Sequence, residues 1–260
     1  MNTWIQESIK LANSASYLDK LFEIYPVNPN ADRLISEPVK QQIQKAFAVD
    51  NRAEIIKGLL KLKKFPINHP YVSSLRKHNF LIDINPRTIK RIGDILVSLG
   101  YENTIELATA PKAGSKQLGH TFKNWLEKLG YPFLKQENFL NNDKASFLQG
   151  NDNTLKIFAK KELKITNLKK GVDFILKAKN NYFIGEAKFL TDNGGTQNNQ
   201  FRDGLNVGKI NKTNIQGVAV LDGILWFPGN QYMNRAIKKF KGTAISALLL
   251  KKFISAQIDK

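Results

Sequence analysis

The chain has 260 residues, 42% hydrophobic and 10% aromatic, which supplies a core for one large domain or two unequal ones and excludes a disordered or fibrous protein. It has no cysteine, so a disulfide scaffold, thiolate zinc sites and a cysteine nucleophile are all excluded, and a reducing compartment suits it. Forty Lys and Arg against 22 Asp and Glu leave a net charge of +18, which draws polyanions, nucleic acid first among them.

The same charge is compatible with a ribosome-like structural binder, or with an AT-rich genome that fills a surface with lysine. The basic excess is uneven. Residues 1–110 carry 15 basic and 11 acidic side chains, and residues 111–260 carry 25 and 11. The opening stretch from Met1 to Lys20 lacks a basic segment followed by an apolar run, and no uncharged apolar stretch of roughly 18 residues occurs, so the expected compartment is the cytoplasm.

In chain order, apolar residues recur at helical spacing in Val39–Phe47, Ile55–Leu62 and Ile89–Leu99, with Asn85-Pro86 a helix entry and Gly100 an exit. These predict a mainly helical region over 1–110. From residue 111 the composition changes, and a polar loop, Pro111–Lys116, leads into a helix with an apolar stripe of Leu118, Phe122, Trp125, Leu126 and Leu129. Tyr131–Leu140 is expected as a first strand, Leu155–Ala159 is a short apolar segment of unassigned type, and Val172–Lys179, Tyr182–Leu190 and Gly217–Trp226 are expected strands. Tyr232–Lys241 and Thr243–Gln257 are expected helices, so residues 111–260 suggest helices packed around a mixed β-sheet.

The informative stretch is Gly171–Leu190. A two-residue turn at Asn180-Asn181 makes Lys179 face Tyr182, Lys177 face Ile184, Ile175 face Glu186 and Asp173 face Lys188. With a side-chain period of two, Asp173, Glu186 and Lys188 then share one face, and Phe174, Leu176, Ala178, Phe183, Ala187 and Phe189 take the other. Two carboxylates beside an amine suit phosphodiester hydrolysis: Asp173, Glu186 and the Ala187 carbonyl offer hard oxygens to Mg²⁺, and Lys188 is placed to orient a water. A second Glu-x-Lys triplet, Glu162-Leu163-Lys164 with Asp152 upstream, lies in a Lys- and Asn-rich stretch without paired strands. The bland alternative for the favoured set is a solvated hairpin face with an ordinary cross-strand ion pair.

These residues resemble the PD-(D/E)-x-K nuclease superfamily, which includes most type II restriction endonucleases: Asp173 stands for the first acid, Glu186 for the second and Lys188 for the lysine, with Val172 where the pattern has proline. The resemblance covers about residues 115–230. It implies a restriction-endonuclease-like α/β core of order αβββαβ over 111–260, Mg²⁺ dependence and cleavage of double-stranded DNA. It also implies a homodimer matching palindromic sites, a cognate methyltransferase acting on the same site, and a helical region, 1–110, that grips DNA or dimerises. Some members add an acid from the first core helix, where Glu127 is the available residue, with Lys123 or Lys128 as plain surface partners for it. A repair or junction-resolving nuclease and a non-catalytic nucleic-acid binder are the competing functions.

For DNA contact, Lys112, Ser115 and Lys116 precede a helix start, where N–H groups and positive charge favour phosphate, and Gln197 and Gln200 offer amides suited to adenine. The amide-rich run Thr191–Gln200 is equally a polar loop before a helix, and the basic carboxy end (Arg235, Lys238, Lys239, Lys241, Lys251, Lys252) is equally a solvated face. His69, His78 and His120 are too scattered for a metal site, and no GxxxxGK[ST] loop is present.

Overall fold

The computed structural model describes residues 2–26, 33–111, 118–168, 170–229 and 231–259. In order the helices are α1 (Thr3–Ala12), α2 (Tyr17–Ile24), α3 (Glu37–Ala48), α4 (Arg52–Leu60), α5 (Val72–Lys77), α6 (Leu81–Ile84), α7 (Pro86–Leu99), α8 (Tyr101–Thr109), α9 (Leu118–Glu127), α10 (Gln136–Leu140), α11 (Asp152–Lys161), α12 (Gly195–Gly208), α13 (Tyr232–Lys239) and α14 (Leu250–Ile258). The strands are β1 (Phe133–Leu134), β2 (Ser146–Leu148), β3 (Phe174–Ala178), β4 (Asn181–Leu190), β5 (Asn211–Lys212), β6 (Ile215–Gly223) and β7 (Ala244–Ile245).

The chain forms two compact units, residues 1–27 with 114–260, and residues 28–113. In the smaller unit α3 to α8 close around Ile43, Ile55, Ile56, Leu59, Ile92 and Leu96, all fully buried. Pro86 starts α7 where its missing N–H costs nothing, and Gly100, at φ +78°, ends it in a conformation that few other residues adopt. The Arg33 N–H donates to Thr109 O at 2.7 Å and so joins the two ends of this unit.

The larger unit is built on a mixed sheet of order β1-β2-β3-β4-β6-β5, with β7 also pairing β6. β2, β3 and β4 are antiparallel neighbours, and α12 carries the chain across to β6, which runs parallel to β4. The run α9, β2, β3, β4, α12, β6 is the expected αβββαβ order, and the central mixed sheet flanked by helices is the restriction-endonuclease-like architecture. Phe174, Leu176, Ala178 and Phe183 pack under α1, α2, α9 and α14 on one face, while Ile175 and Ile184 pack under α10 and α11 on the other.

Three local expectations differ from what forms. Only Phe133–Leu134 of Tyr131–Leu140 is strand, because β2 offers it a two-residue register; Gln136–Leu140 then winds into α10 and buries Phe139. Leu155–Ala159 is the middle of α11, whose Leu155, Phe158 and Ala159 bury one side while the Asn151 side chain caps its start by accepting from Thr154 N. Before α14 begins, Ala244 and Ile245 add to the edge of β6.

The division of the chain also differs from a helical 1–110 and a core 111–260. α1 and α2 join the sheet unit, where Ile5, Tyr17, Leu21 and Ile24 are buried in the same core as β3 and β6. Their amphipathic spacing demanded a partner surface without specifying which one. The attachment is polar as well: Ser246 N donates to Ser8 Oγ at 2.9 Å, and Asn2 Nδ2 donates to Gly242 O at 3.2 Å.

Candidate active site

The β3–β4 hairpin turns at Lys179-Asn180, with Lys179 at φ +53°, and pairs Ala178 with Asn181, Ile175 with Ile184 and Phe174 with Gly185. This register is shifted by two residues from the one that a turn at Asn180-Asn181 imposes. Side chains alternate with period two, so a shift of two leaves every residue on its expected face. Gly185 is needed in this register, because a Cβ there would lie 2.0 Å from the Phe174 ring.

Asp173 sits just beyond the end of β3. Its N–H donates to Gly185 O at 2.9 Å, and its Oδ2 accepts from the Ala187 N–H at 2.8 Å, which fastens the first acid to the strand that carries the second acid and the lysine. In a strand the N–H and C=O of one residue point to the same edge, so the Ala187 carbonyl faces the same side as Asp173. Glu186 is 6% exposed, and its Oε1 accepts from Lys188 Nζ, which leaves Oε2 uncommitted among the described residues. The three residues singled out by the sequence are thus brought together.

Burial pushes the Glu186 carboxyl up to about 7, Asp173 adds to the rise, and Lys188 offsets part of it. The native protein therefore holds a proton between pH 4.5 and 7 that the unfolded chain releases, and its stability falls as pH rises through that window. Glu186→Gln removes the cost of that buried charge. In metal-free buffer at pH 8 it should raise stability by about 1–3 kcal/mol, read from urea denaturation; equal or lower stability would mean that Lys188 already compensates the charge.

Two residues that sequence reasoning left out complete the set. Lys123 on α9 pairs with Asp152 at the start of α11, and its Nζ lies 3.7 Å from Asp173 Oδ1. Asp152 reaches this place because Gly171 has no side chain; a Cβ there would meet the Asp152 Cβ at 2.5 Å. The helical spacing of Leu155, Phe158 and Ala159 behind an Asn151 cap was the available signal that Asp152 opens a helix. Lys123 was expected to have Glu127 as a local surface partner. Glu127, one turn further along α9, is exposed and makes none of these contacts.

The second Glu-x-Lys triplet does not assemble: Glu162 accepts from Gln136 Nε2 at 3.4 Å, and Lys164 donates to Lys161 O at 2.7 Å. Two cavities flank the favoured set. One of about 200 Å³ lies beside Glu186, lined also by Asn167, Lys170, Asp203 and Asn206, and one of about 230 Å³ lies beside Lys188, lined also by Tyr25, Phe122, Lys170 and Gln200. Lys170 borders both and pairs with Asp203 at 2.9 Å.

Of the residues considered for DNA contact, Gln200 is therefore close to Lys188, on α12. Gln197, one turn earlier, donates to Thr191 Oγ1 at 3.2 Å, while its Oε1 is buried without a partner among the described residues. The amide-rich run is helical from Gly195 onward. Lys112, Ser115 and Lys116 lie outside the described residues. Among the described residues no group of three or more His, Cys, Asp or Glu side chains is disposed to hold a metal, and no helix is long and apolar enough to cross a membrane.

A family model described as Tsp45I type II restriction enzyme matches residues 2–257. No curated protein and no solved structure matches the chain.

Proposed function

The chain belongs to the Tsp45I type II restriction enzyme family, and on that premise we propose that it is a site-specific endonuclease that hydrolyses double-stranded DNA with Mg²⁺, using Asp173, Glu186 and Lys188. The observation that carries this reading is the fastening of Asp173 Oδ2 to the Ala187 N–H, which holds both acids and the lysine at one end of the β3–β4 hairpin. The donor set fits the ion, because Mg²⁺ keeps most of its waters and asks a protein for one or two carboxylates. Asp173, Glu186 and the Ala187 carbonyl would hold it. Its positive charge, when bound, favours deprotonation of an attacking water and offsets charge growing on the phosphate.

The remaining work belongs to the chain itself. Lys188, held against Glu186, presents a fixed positive charge that orients the water and stabilises the developing anion. Lys170 at the mouth of both cavities attracts the phosphate backbone, and Gln200 is the amide best placed to reach a base. Gln197, Lys112, Ser115 and Lys116 are the further DNA contacts of this reading. The +18 charge steers the encounter, and the unit of residues 28–113 adds grip on the duplex or a dimer contact.

A homodimer would cut both strands of a symmetric site, a methyltransferase of the same specificity would protect host DNA, and the cytoplasm is the expected compartment. The test is digestion of plasmid DNA with and without Mg²⁺ and with EDTA, followed by sequencing of the ends. Discrete fragments with one common end sequence, lost in EDTA, are the expected result; random nicking, or cutting that persists in EDTA, would overturn the reading.

A further inference from the structure

We propose that Lys123 is a positioning residue of the cleavage centre: its ammonium, shared between Asp152 and Asp173, controls how readily Asp173 accepts a divalent cation. The proposal rests on the reading above, in which Asp173 is a metal-holding acid. α9 is fixed by Leu118, Phe122 and Leu126, which are buried in the sheet core, and Phe122 packs against both Tyr25 and Phe174. Lys123 follows Phe122 at the edge of that buried stripe, with a side chain only 36% exposed, so its reach is set by the helix position.

Asp173 has two oxygens and two different neighbours. Oδ2 is tied to the Ala187 N–H, which leaves Oδ1 to face Lys123 at 3.7 Å and any arriving cation. Asp152 holds the same ammonium at closer range, and the close fit of Gly171 against α11 keeps Asp152 in place. Lys188 plays the matching part for Glu186, so that each acid has its own lysine. An ammonium this close to a metal-holding oxygen both repels a cation and competes for the oxygen.

The two partners therefore predict opposite effects on metal affinity. Lys123→Met, which keeps the length of the side chain and removes its charge, should tighten Mn²⁺ binding to the DNA-free protein by about tenfold. Asp152→Asn, which gives Lys123 wholly to Asp173, should weaken it several-fold, and Lys123→Arg should stay near wild type. Calorimetric titration with Mn²⁺ reads all three without recourse to cleavage. Unchanged or weaker binding in Lys123→Met, or tighter binding in Asp152→Asn, would overturn the proposal, and so would complete loss of binding in Asp152→Asn, which would make Asp152 a ligand. Asp173→Asn separates the two readings. If it leaves Mn²⁺ affinity intact, Asp173 does not hold the metal; if it abolishes binding while Lys123→Met has no effect, only the role of Lys123 fails.

Discussion

Lys188→Ala should lower the single-turnover rate of DNA cleavage in Mg²⁺ by about 10³-fold or more while leaving DNA affinity within about threefold of wild type. The lysine lines an existing cavity and its ammonium is held by Glu186, so the substitution enlarges that cavity and leaves the apolar core filled. It removes the cation that pairs with the buried acid, and with it the charge to which the proposed mechanism gives the orienting of water and the stabilising of the anionic transition state. Affinity rests instead on a net charge of +18, of which one lysine is a small part. Quenched-flow cleavage, with fluorescence anisotropy in Ca²⁺ for binding, measures the two separately. A rate within tenfold of wild type would remove Lys188 from the reacting set, and a parallel loss of binding would make it a phosphate contact.

Asp222→Ala should cost about 3–5 kcal/mol of stability, seen as a lower urea midpoint with an unchanged slope. Asp222 lies near the end of β6, fully buried, and its carboxylate accepts from Tyr25 Oη at 2.9 Å, Tyr17 Oη at 3.3 Å, Ser246 Oγ at 2.5 Å and Ala247 N at 3.1 Å. Truncation leaves three hydroxyls and an amide without an acceptor in a place that water does not reach. Tyr25→Phe removes a single donor and should cost about 1 kcal/mol.

The same site has a pH signature. Burial raises the Asp222 carboxyl to about 6, and the donors from Ser246, Ala247, Tyr25 and Tyr17 recover part of the cost. Because the native pKa lies above the unfolded value, this group holds its proton between about pH 4 and 6 in the native state, and its contribution to stability declines as pH rises through that interval. Asp222→Ala should flatten that portion of the profile. A loss below 1 kcal/mol with an unchanged profile would show that the network is dispensable.

The clustering of Asp173, Glu186 and Lys188 was legible because the face on which each falls depends on parity alone. An error of two residues in the turn moved every pairing and no face, whereas an error of one would have turned Glu186 and Lys188 into the core. The sheet core was legible for the same reason, since Phe174, Leu176, Ala178 and Phe183 fall on one face by the period of two. Lys123, Asp152 and Asp222 were not, because each acquires its meaning from partners far away in the chain. Lys123 is followed four residues later by an acid that offers a sufficient local explanation, and Asp222 sits in an apolar strand with nothing nearby to mark its donors. The attachment of α1 and α2 to the sheet was hidden in the same way, a buried stripe being readable from spacing and its counterpart not.

That attachment ties α1 and α2 to residues more than 200 positions away and so bears on how the unit folds. α1 and α2 take their seat on β7, on the turn at Ser246, on Asp222 of β6 and on α9. Tyr17 and Tyr25 donate to Asp222, and Tyr25 also packs against Phe122 and Phe189, which line the cavity beside Lys188. The Tyr25–Asp222 bond joins residues 197 positions apart, so the loop entropy of closing it should make refolding of the sheet unit slow.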